Sequence, residues 1–451
     1  MTSDPLHKIP TAPAAKPLVG HLFSFRRSPI DFFSTNARNF KELFQFKIFS
    51  KSYIILNHPD AVHHVLTSNV KNYTRQKSYA FLQELLGMGL LTNEGDEWRT
   101  RRRLAQPNFG REKLASLMQQ MDAAIENFAK EHFNTNSTLS LEDELNHLTL
   151  SILTQSILYS ENNSNFEKVK SDLQDALEYL TAQRFNVFKF MTKLPSKRKS
   201  KGKAAIARLK LLVENIILER RRSKATHNDL LEMLMNTKDE ENNEMLDDKA
   251  LADEVMTMFV AGHETTASSL LWTIYLLEHN SAVREKLLQE LQMNYDGAAI
   301  DVTKMMQLPY MRMVIMETMR LYPPVWSFGR KAIDEDQIMG YVIPKGASVN
   351  IPVYCIHRHP DYWKHPDAFY PEHFLPEAVK ERDKFAYLPF SQGMHRCIGE
   401  HFAIMEMQMV LMRLYFQYEI HFAADKAPVL HPLVTLKPKE PIYFTIQKRK
   451  L

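Results

Sequence analysis

The chain has 451 residues, 44% of them hydrophobic and 24% charged, which is the balance of a soluble globular protein and excludes a disordered or fibrous one. Its formal net charge of +4 is too small to predict nucleic-acid binding. Only two cysteines occur, Cys355 and Cys397, so a disulfide framework is excluded and a reducing compartment is expected.

The N-terminal segment, residues 1–27, contains four prolines and no long apolar run. We expect it to be extended, and to be neither a signal peptide nor a membrane anchor. A helix is predicted to follow, with Ser28 as its cap and Pro29 in its first turn. Two short strands, 44–49 and 53–56, are predicted after that helix.

Residues 71–96 show no sustained periodicity and contain three glycines, which predicts a long connection of the kind that often lines a site. The next helix is predicted to begin at Trp98. Trp98 and Arg102 are four residues apart and therefore share one face of it. On these residues alone, the segment is consistent with an ordinary basic surface helix.

A mostly apolar helix is predicted over residues 248–279, but its centre is polar. That centre reads Ala261, Gly262, His263, Glu264, Thr265, Thr266. Glycine inside a helix costs about 1 kcal/mol relative to alanine, and buried polar groups need partners. One interpretation is structural, with threonines bonded to helix carbonyls. The other is functional: Gly262 leaves room beside the helix, while Glu264 and Thr265 form an acid–alcohol pair that relays protons.

A further helix is predicted over residues 310–320, where Glu317 and Arg320 are three apart and share a face. As an exposed pair they would contribute little to stability. Two prolines at 323–324 end this helix. A segment rich in proline and histidine, residues 357–386, then leads to the last motif.

That last motif spans residues 387–402, where Cys397 lies between Gly393 and Gly399, after a loop and before a helix-like apolar run. Amides at a helix N-terminus stabilise a thiolate, which lowers the thiol pKa and favours metal binding. The alternative for any free cysteine is a buried structural role. For Cys355, in an apolar run, we predict that packing role.

Phe390, Gly393, Cys397 and Gly399 together resemble the haem-ligand loop of the cytochrome P450 family, in which one cysteine thiolate is the proximal iron ligand. The resemblance extends over essentially the whole chain, with five motifs in the family's order. It implies the haem-thiolate fold, which is mainly α with a small β portion near the N-terminus. A single domain over residues 28–451 is expected.

The same resemblance implies which side chains meet the cofactor, expected to be haem b with Cys397 on the iron. Trp98 and Arg102 are similar to the family's propionate clamp, in which an indole N–H and a guanidinium neutralise one carboxylate. Arg330 matches an arginine that meets a propionate. The family usually has arginine at the position of His395, so this contact is expected to be weaker here.

The centre of the long helix resembles the family's oxygen-activation motif, in which small residues precede an acid and a threonine. On that basis we expect Ala261 to contact the cofactor, and Glu264 and Thr265 to deliver protons, with Thr265 nearest dioxygen. The Cys397 thiolate is expected to favour O–O cleavage. His263 has the variable position of the motif and is expected to be packing or surface.

Glu317 and Arg320 resemble the family's Glu-x-x-Arg pair, a buried structural network that a later segment completes. In this chain that segment reads Pro371, Glu372, His373, Phe374. His373 replaces the usual arginine, so less of the network's charge is permanent and the network is expected to respond to pH.

The family's substrate cavity corresponds to mostly apolar positions in this chain. They are Phe81, Leu82, Val260, Val325, Trp326, Phe328, Val434 and Thr435, in addition to Ala261 and Thr265. An apolar small molecule is therefore the expected substrate, and fatty acids, terpenoids and steroid-like compounds all remain open.

The implied activity is that of a monooxygenase, which inserts one oxygen atom from O2 into its substrate. The chain offers no flavin or iron–sulfur segment, so electrons are expected from a separate ferredoxin or flavodoxin with its reductase. Candidate docking cations are Arg99, Arg101, Lys380, Arg382 and Lys384, although they are equally consistent with solvated charges. We expect a cytoplasmic monomer.

Three alternatives stay open at this point. The first is a peroxide-driven hydroxylase or haem isomerase of the same fold, against which the intact Glu264–Thr265 pair argues. The second is a haem-binding sensor or carrier without catalysis, in which an apolar cavity would have no purpose. The third is a purely structural helical protein that binds no haem.

Overall fold

A computed structural model describes residues 7–75, 79–133, 138–158, 166–185, 196–223, 225, 227–241, 243–423 and 427–449. Two compact units form, and each combines three separate stretches of the chain. Unit 1 consists of Met1–Ser78, Arg312–Cys397 and Pro428–Lys439. Unit 2 consists of Tyr79–Met311, Ile398–Ala427 and Glu440–Leu451.

Helices dominate the described residues, as the sequence predicts. They are α1 (Leu22–Arg27), α2 (Pro29–Asn39), α3 (Pro59–His63), α4 (Gln83–Leu86), α5 (Gly95–Ala105), α6 (Arg111–Ala115), α7 (Met118–His132), α8 (Leu141–Leu158), α9 (Phe166–Phe185), α10 (Lys197–Arg222), α11 (Leu230–Asn236), α12 (Asp248–Glu278), α13 (Ser281–Asn294), α14 (Val302–Met306), α15 (Pro309–Leu321), α16 (Val353–Ile356), α17 (Pro376–Glu381) and α18 (Glu400–Gln417).

The strands are short. They are β1 (Leu43–Ile48), β2 (Lys51–Leu56), β3 (Tyr73–Thr74), β4 (Leu139–Ser140), β5 (Phe328–Ala332), β6 (Asp336–Ile338), β7 (Tyr341–Ile343), β8 (Ser348–Ile351), β9 (Tyr418–Phe422), β10 (Leu430–Pro432), β11 (Leu436–Pro438) and β12 (Tyr443–Lys448).

The main sheet belongs to unit 1 and has the order β1-β2-β8-β5-β3. β1 and β2 form the predicted hairpin, and β8 pairs with β2 in parallel. β5 is antiparallel to both β8 and β3. The predicted β portion near the N-terminus therefore also includes strands from the second half of the chain. Apolar side chains from both halves, such as Leu43, Ile54, Val349 and Ile351, form the core beneath it.

The prediction of a helix capped by Ser28 is confirmed by α2. The prediction that residues 1–27 are extended is wrong where α1 forms. Ser28 caps α2, because its hydroxyl accepts a hydrogen bond from the backbone N–H of Asp31 over 3.3 Å. Leu22–Arg27 form α1, so the segment 1–27 is not extended throughout. The apolar side of this helix, with Leu22 buried and Phe25 packed on Phe46, supplies the burial that stabilises it. Residues 1–6 lie outside the described residues.

Unit 2 is built around α12, whose 31 residues agree with the prediction of one long helix. Asp247 caps it by accepting a hydrogen bond from the N–H of Ala250 over 2.7 Å. Helices α8, α10 and α18 pack against it. Most of its side chains are buried, which explains why its sequence is apolar on all sides rather than on one face.

Candidate active site

Residues 387–397 of unit 1, which we call the cysteine loop, are held by backbone contacts. The N–H of Cys397 donates to the carbonyl of Phe390 over 2.9 Å, and the N–H of Arg396 donates to Gly393 over 3.1 Å. Gly393 has a φ of +72°, and a Cβ there would lie 2.1 Å from the Leu66 carbonyl oxygen. Only glycine fits this position, so the loop is pinned against its own unit.

The two cysteines differ in burial. Neither forms a disulfide. Cys355 is buried on α16, and burial raises the pKa of its thiol to about 12, so it is a packing residue as predicted. Cys397 is exposed and lies just before Gly399, the residue that precedes α18. An exposed sulfur at a fixed loop position suits a soft metal ion, and it does not suit a structural core. The residues present therefore fit a thiolate-ligated haem.

Three further predicted cofactor residues lie in unit 1. Arg330 is buried in β5, where one of its Nη1–H groups donates to the Gly329 carbonyl over 3.0 Å and its guanidinium lies 5.1 Å from the Phe328 ring centroid. His395 and Phe390 are half-buried in the cysteine loop. Packing against an aromatic ring leaves the Arg330 charge in place and restricts its motion.

The predicted clamp residues lie on α5 in unit 2. Trp98 is buried, and its indole N–H donates to the carbonyl of Leu90 over 3.1 Å. The Nε–H of Arg102 donates to the side chain of Gln106 over 3.0 Å. Both side chains therefore have polar partners within their own unit, although they share a helix face as predicted.

The centre of α12 is less buried than the stretches of the helix on either side of it. Ala261 is exposed, and Glu264 and Thr265 are half-buried, whereas most neighbouring residues are buried. The hydroxyl of Thr265 donates to the Ala261 carbonyl over 2.8 Å, and that of Thr266 to a carbonyl one residue later over 2.9 Å. Ala261 and Thr265 are small side chains that no other described element fully covers, although they lie in the middle of a mostly buried helix. Such a surface is consistent with a ligand site.

Gly262 has a different role from the predicted one. A Cβ at this position would lie 3.1 and 3.3 Å from the two Cδ atoms of Leu153 on α8. The space that Gly262 leaves is therefore filled by a neighbouring helix, and it serves packing. His263 is buried with a ring nitrogen 2.6 Å from the Phe259 carbonyl oxygen, which agrees with the packing role expected for it.

Glu317, Arg320 and His373 form the predicted buried network in unit 1. Arg320 donates from Nε and Nη2 to the two carboxylate oxygens of Glu317, each over 2.7 Å. Its remaining N–H groups donate to the carbonyls of His357, Pro366 and Ala368 over 2.9, 2.5 and 2.8 Å. All five N–H donors of the guanidinium are used. The network is therefore saturated, which an exposed ion pair would not be.

His373 bridges two acceptors. Its Nδ1 lies 3.2 Å from both carboxylate oxygens of Glu317, and its Nε2 contacts the carbonyl of Lys364. Arg382 also supports this network, because its guanidinium lies 4.0 Å from the Trp363 ring centroid and donates to the His373 carbonyl over 2.9 Å.

His357 connects this network to the cysteine loop, and the sequence analysis did not identify it. Its Nδ1–H donates to the Arg320 carbonyl over 3.2 Å, and its Nε2 accepts the N–H of Leu388 over 2.7 Å. Burial lowers the pKa of His357 to about 3, so the ring is neutral. The only sequence signal was the abundance of histidine in residues 357–386.

A second group that the sequence analysis missed is a pair of acids on α12 that hold the loop before α5. Asp253 accepts the N–H of Met88 over 3.0 Å, and Glu254 accepts the N–H of Leu90 over 3.1 Å. Gly87, with a φ of +55°, lies so close that a Cβ would be 1.9 Å from an Asp253 oxygen. The glycines of this loop therefore serve close contact with α12.

Glu254 has an unusual environment. One carboxylate oxygen accepts the Leu90 N–H, and the other lies 3.6 Å from Nη1 of Arg101. Burial raises the pKa of Glu254 to about 7, although the Leu90 N–H and the Arg101 charge oppose the rise. The Leu90 carbonyl in turn accepts the Trp98 indole N–H. Glu254 and Trp98 therefore bind the two backbone polar groups of the same residue, Leu90.

Replacing Glu254 with glutamine should remove one pH dependence of stability. A carboxyl with a folded pKa of about 7, against 4.5 when unfolded, stabilises the fold below pH 4.5 and loses that contribution as pH rises through 7. Between pH 5 and 8, the free energy of unfolding of the wild type should fall by up to about 3 kcal/mol relative to that of Glu254→Gln. Thermal unfolding across this range measures it, with the exposed Glu112→Gln as control. Parallel curves for wild type and Glu254→Gln would contradict the expectation.

The predicted substrate residues are distributed over both units. In unit 1, Trp326 donates its indole N–H to the Leu433 carbonyl over 3.0 Å, and the N–H of Leu436 donates to Pro324 over 2.9 Å. These bonds bring the segment of Val325, Trp326 and Phe328 to that of Val434 and Thr435. In unit 2, Leu82 and Val260 are buried and Phe81 is half-buried.

One pocket within unit 2 has a volume of about 390 Å³ and lies among α4, α10 and α12. Apolar Leu85, Ile217 and Met256 line it together with charged Lys210 and Glu214. None of the predicted substrate residues lines this pocket. Within the described part of the chain, no helix has both the length and the apolar composition needed to cross a lipid bilayer.

Comparison with known proteins defines the class of this fold and site. The family model of cytochrome P450 matches residues 10–446, so the chain belongs to the cytochrome P450 family. The fold is also that of the cytochrome P450DA heme domain, whose crystal structure superposes with a TM-score of 0.90 at 24% identity and covers 99% of this chain and 98% of its own.

Two relatives illustrate the range of the family. Cyclooctat-9-en-7-ol 5-monooxygenase of Streptomyces melanosporofaciens is 28% identical, over 91% of this chain and 89% of the relative. Cytochrome P450 4V2 of Mus musculus is 28% identical, over 98% of this chain and 90% of the relative. The chain is therefore a haem-dependent monooxygenase and an oxidoreductase.

Proposed function

We propose that this chain is a haem-thiolate monooxygenase in which Cys397 is the iron ligand of haem b. The observation that carries the proposal is the exposed sulfur of Cys397 in a loop that Gly393 fixes against Leu66. We also propose that residues 28–451 act as one domain, because the matched family model spans stretches of both units.

Bound haem supplies the redox chemistry that activates O2 and oxidises a C–H bond. The protein supplies charge, orientation and protons. Trp98, Arg102, Arg330 and His395 offset the propionate charges in this proposal. To act there, the indole N–H of Trp98 must exchange the Leu90 carbonyl for a propionate oxygen. Charge-assisted hydrogen bonds are the stronger ones, which favours that exchange.

Glu264 and Thr265 are the proposed proton-delivery residues. Both are half-buried at the uncovered centre of α12, where Ala261 is the proposed contact to the cofactor. The Thr265 hydroxyl donates to a helix carbonyl, so its oxygen lone pairs can accept a hydrogen bond from a proton donor. General-acid catalysis requires such a group within reach.

Replacing Thr265 with alanine should lower product formation about a hundredfold while O2 consumption continues and appears as hydrogen peroxide. Thr273→Ala is the matched control, since Thr273 makes the same bond to a helix carbonyl, over 2.7 Å, further along α12. The measurement compares product, O2 and peroxide under the same reductant supply. Peroxide-supported turnover that Thr265→Ala leaves unchanged would favour the peroxide-driven alternative instead.

The electron donor in this proposal is a ferredoxin or flavodoxin with its own reductase. Two of the predicted docking cations are engaged internally: Arg101 lies 3.1 Å from Glu97 and close to Glu254, and Arg382 packs on Trp363. Exposed Lys380 and Lys384 remain as candidates for an acidic partner, as does exposed Arg99, whose guanidinium also pairs with Asp96 over 2.6 Å. We further propose a cytoplasmic monomer, in keeping with two cysteines that form no disulfide.

The proposed substrate is a mostly hydrocarbon compound such as a fatty acid, terpenoid or steroid-like molecule. The apolar side chains of Leu82, Val260 and Phe328 support it, as does the name of the bacterial relative, a 5-monooxygenase of cyclooctat-9-en-7-ol. Titration of the haem-loaded protein with a panel of such compounds, monitored through the iron spin state, tests this proposal. A protein that no apolar compound shifts would instead fit a non-catalytic haem binder.

A further inference from the structure

One imidazole ring joins two parts of unit 1 that are far apart in the chain. His357 follows directly after α16 and is completely buried. Its Nδ1–H donates to the Arg320 carbonyl near the end of α15 over 3.2 Å, and its Nε2 accepts the N–H of Leu388 over 2.7 Å. Leu388 lies in the cysteine loop, so the ring connects α15 directly to the loop that carries Cys397.

The residue that carries this ring is held on both sides. Arg320 returns the contact, because its Nη1–H donates to the His357 carbonyl over 2.9 Å. The N–H of His357 donates to the Val353 carbonyl in α16 over 2.9 Å. A side chain whose own backbone is bound at both polar groups does not readily follow a displaced partner. The ring is therefore a rigid support for Leu388.

Both contacts of the ring need the same protonation state. Burial lowers the pKa of His357 to about 3, and the positive charges of Arg320 and Arg358 act in the same direction. The ring is therefore neutral, with one N–H and one nitrogen lone pair. The N–H of Leu388 requires the lone pair on Nε2, which leaves the proton on Nδ1, where it faces the Arg320 carbonyl.

Backbone hydrogen bonds carry the position of Leu388 on to the sulfur. The N–H of Ser391 donates to the Leu388 carbonyl over 3.1 Å, and the N–H of Cys397 donates to the Phe390 carbonyl over 2.9 Å. A displacement of residues 388–390 would therefore move the acceptor that holds the backbone of Cys397. The sulfur is attached to that backbone through a single Cβ atom, so it would move as well.

Two other contacts hold the cysteine loop at different places. The hydroxyl of Tyr387 donates to the Met316 carbonyl in α15 over 2.8 Å at the start of the loop. Gly393 packs against the Leu66 carbonyl at its centre. Neither contact holds the backbone in between, so the imidazole contact has a role that they do not duplicate.

We propose that His357 is a positioning residue for the iron ligand: its Nε2 lone pair, bound to the N–H of Leu388, holds the Cys397 sulfur where a thiolate can bind haem iron. The inference rests on the proposed role of Cys397 and deepens it, because it names the side chain that orients the ligand. Groups that orient a metal ligand through hydrogen bonds typically change metal affinity or activity by about ten- to a hundredfold.

The test compares two amide variants, each of which keeps one of the two contacts. The amide of His357→Asn ends near the position of Nδ1 and can still donate to the Arg320 carbonyl, but it leaves the Leu388 N–H without an acceptor. The amide of His357→Gln reaches the position of Nε2 and can accept that N–H. In the reduced, carbon-monoxide-bound protein, the ratio of red-shifted thiolate absorption to other haem absorption should fall about tenfold in His357→Asn and stay near the wild-type ratio in His357→Gln.

A second measurement needs no haem. In the haem-free protein, amide hydrogen exchange across residues 389–397 should be about tenfold faster in His357→Asn than in His357→Gln, because the loop opens more often without its contact to the ring. This range excludes the Leu388 amide, whose own exchange changes trivially when its acceptor is removed.

His21→Asn is the matched control. His21 is also a buried histidine of unit 1 whose ring joins two backbone groups, the N–H of Lys47 over 3.1 Å and the carbonyl of Ala12 over 2.9 Å. Losing one of these contacts should lower the unfolding temperature about as much as His357→Asn does. It should leave both the thiolate absorption and the exchange of residues 389–397 unchanged.

Equal loss of the thiolate absorption in His357→Asn and His357→Gln would overturn the inference, and so would equal loss in His21→Asn, since the absorption would then follow general destabilisation. Undiminished absorption in His357→Asn would overturn it as well. A wild-type protein without thiolate absorption would instead refute Cys397 as the iron ligand. In that case, or if a variant takes up no haem, the exchange rates decide whether His357 positions the loop: equal rates in the two amide variants overturn the inference.

Discussion

Replacing Arg320 with lysine is expected to destabilise the protein by at least about 4 kcal/mol and to abolish haem incorporation. Arg320 is fully buried and donates all five N–H groups, two to Glu317 and three to backbone carbonyls. Lysine keeps the charge but has only three donors on one atom. At least two of these five buried hydrogen bonds would then be lost. Thermal unfolding and the yield of haem-loaded protein measure the effect.

Arg221→Lys is the matched control for this substitution. Arg221 pairs with Asp248 over 3.1 Å at the surface, where both side chains are well exposed. Exchanging arginine for lysine there should change stability by less than about 0.5 kcal/mol. If Arg320→Lys and Arg221→Lys unfold at the same temperature, the saturated network does not stabilise unit 1 in the way its geometry indicates.

Replacing Cys397 with alanine is expected to abolish turnover and the red-shifted absorption of the reduced, carbon-monoxide-bound protein, because that absorption reports a thiolate ligand. The haem-free protein should unfold at an unchanged temperature, since an exposed side chain contributes little packing. Loss of the spectrum without loss of stability is the signature of a ligand.

Cys355→Ala should give the opposite result. Cys355 is buried, so truncation leaves a small cavity that costs about 1 kcal/mol, while the absorption spectrum stays intact. If the thiolate absorption survives in Cys397→Ala, or disappears in Cys355→Ala, the proposed iron ligand is wrong.

The sequence was most informative where a motif is local or a periodic pattern is long. The bounds of α12, the capped start of α2 and the Glu317–Arg320 pair depend on neighbouring residues, and the structure has all three. Turn-forming residues and helix periodicity act over a few positions, so one chain suffices to identify them.

Long-range contacts account for what the sequence analysis missed. Leu153 fills the space beside Gly262, and Glu254 holds Leu90, yet each pair is more than a hundred residues apart in the chain. His357 likewise links Arg320 to the loop before Cys397. Nothing local distinguishes these residues from other buried or charged positions, because their roles arise only when distant elements pack.

The interleaving of the two units has a consequence for biosynthesis. Unit 1 takes β10 and β11 from residues 428–439, and unit 2 takes β9 and β12 from residues on either side of them. As the ribosome releases the chain from its N-terminus, neither unit has all its strands until residues 428–448 emerge. Neither unit can therefore complete its set of strands before these residues are available, and deletion of residues 428–448 removes strands from both units at once.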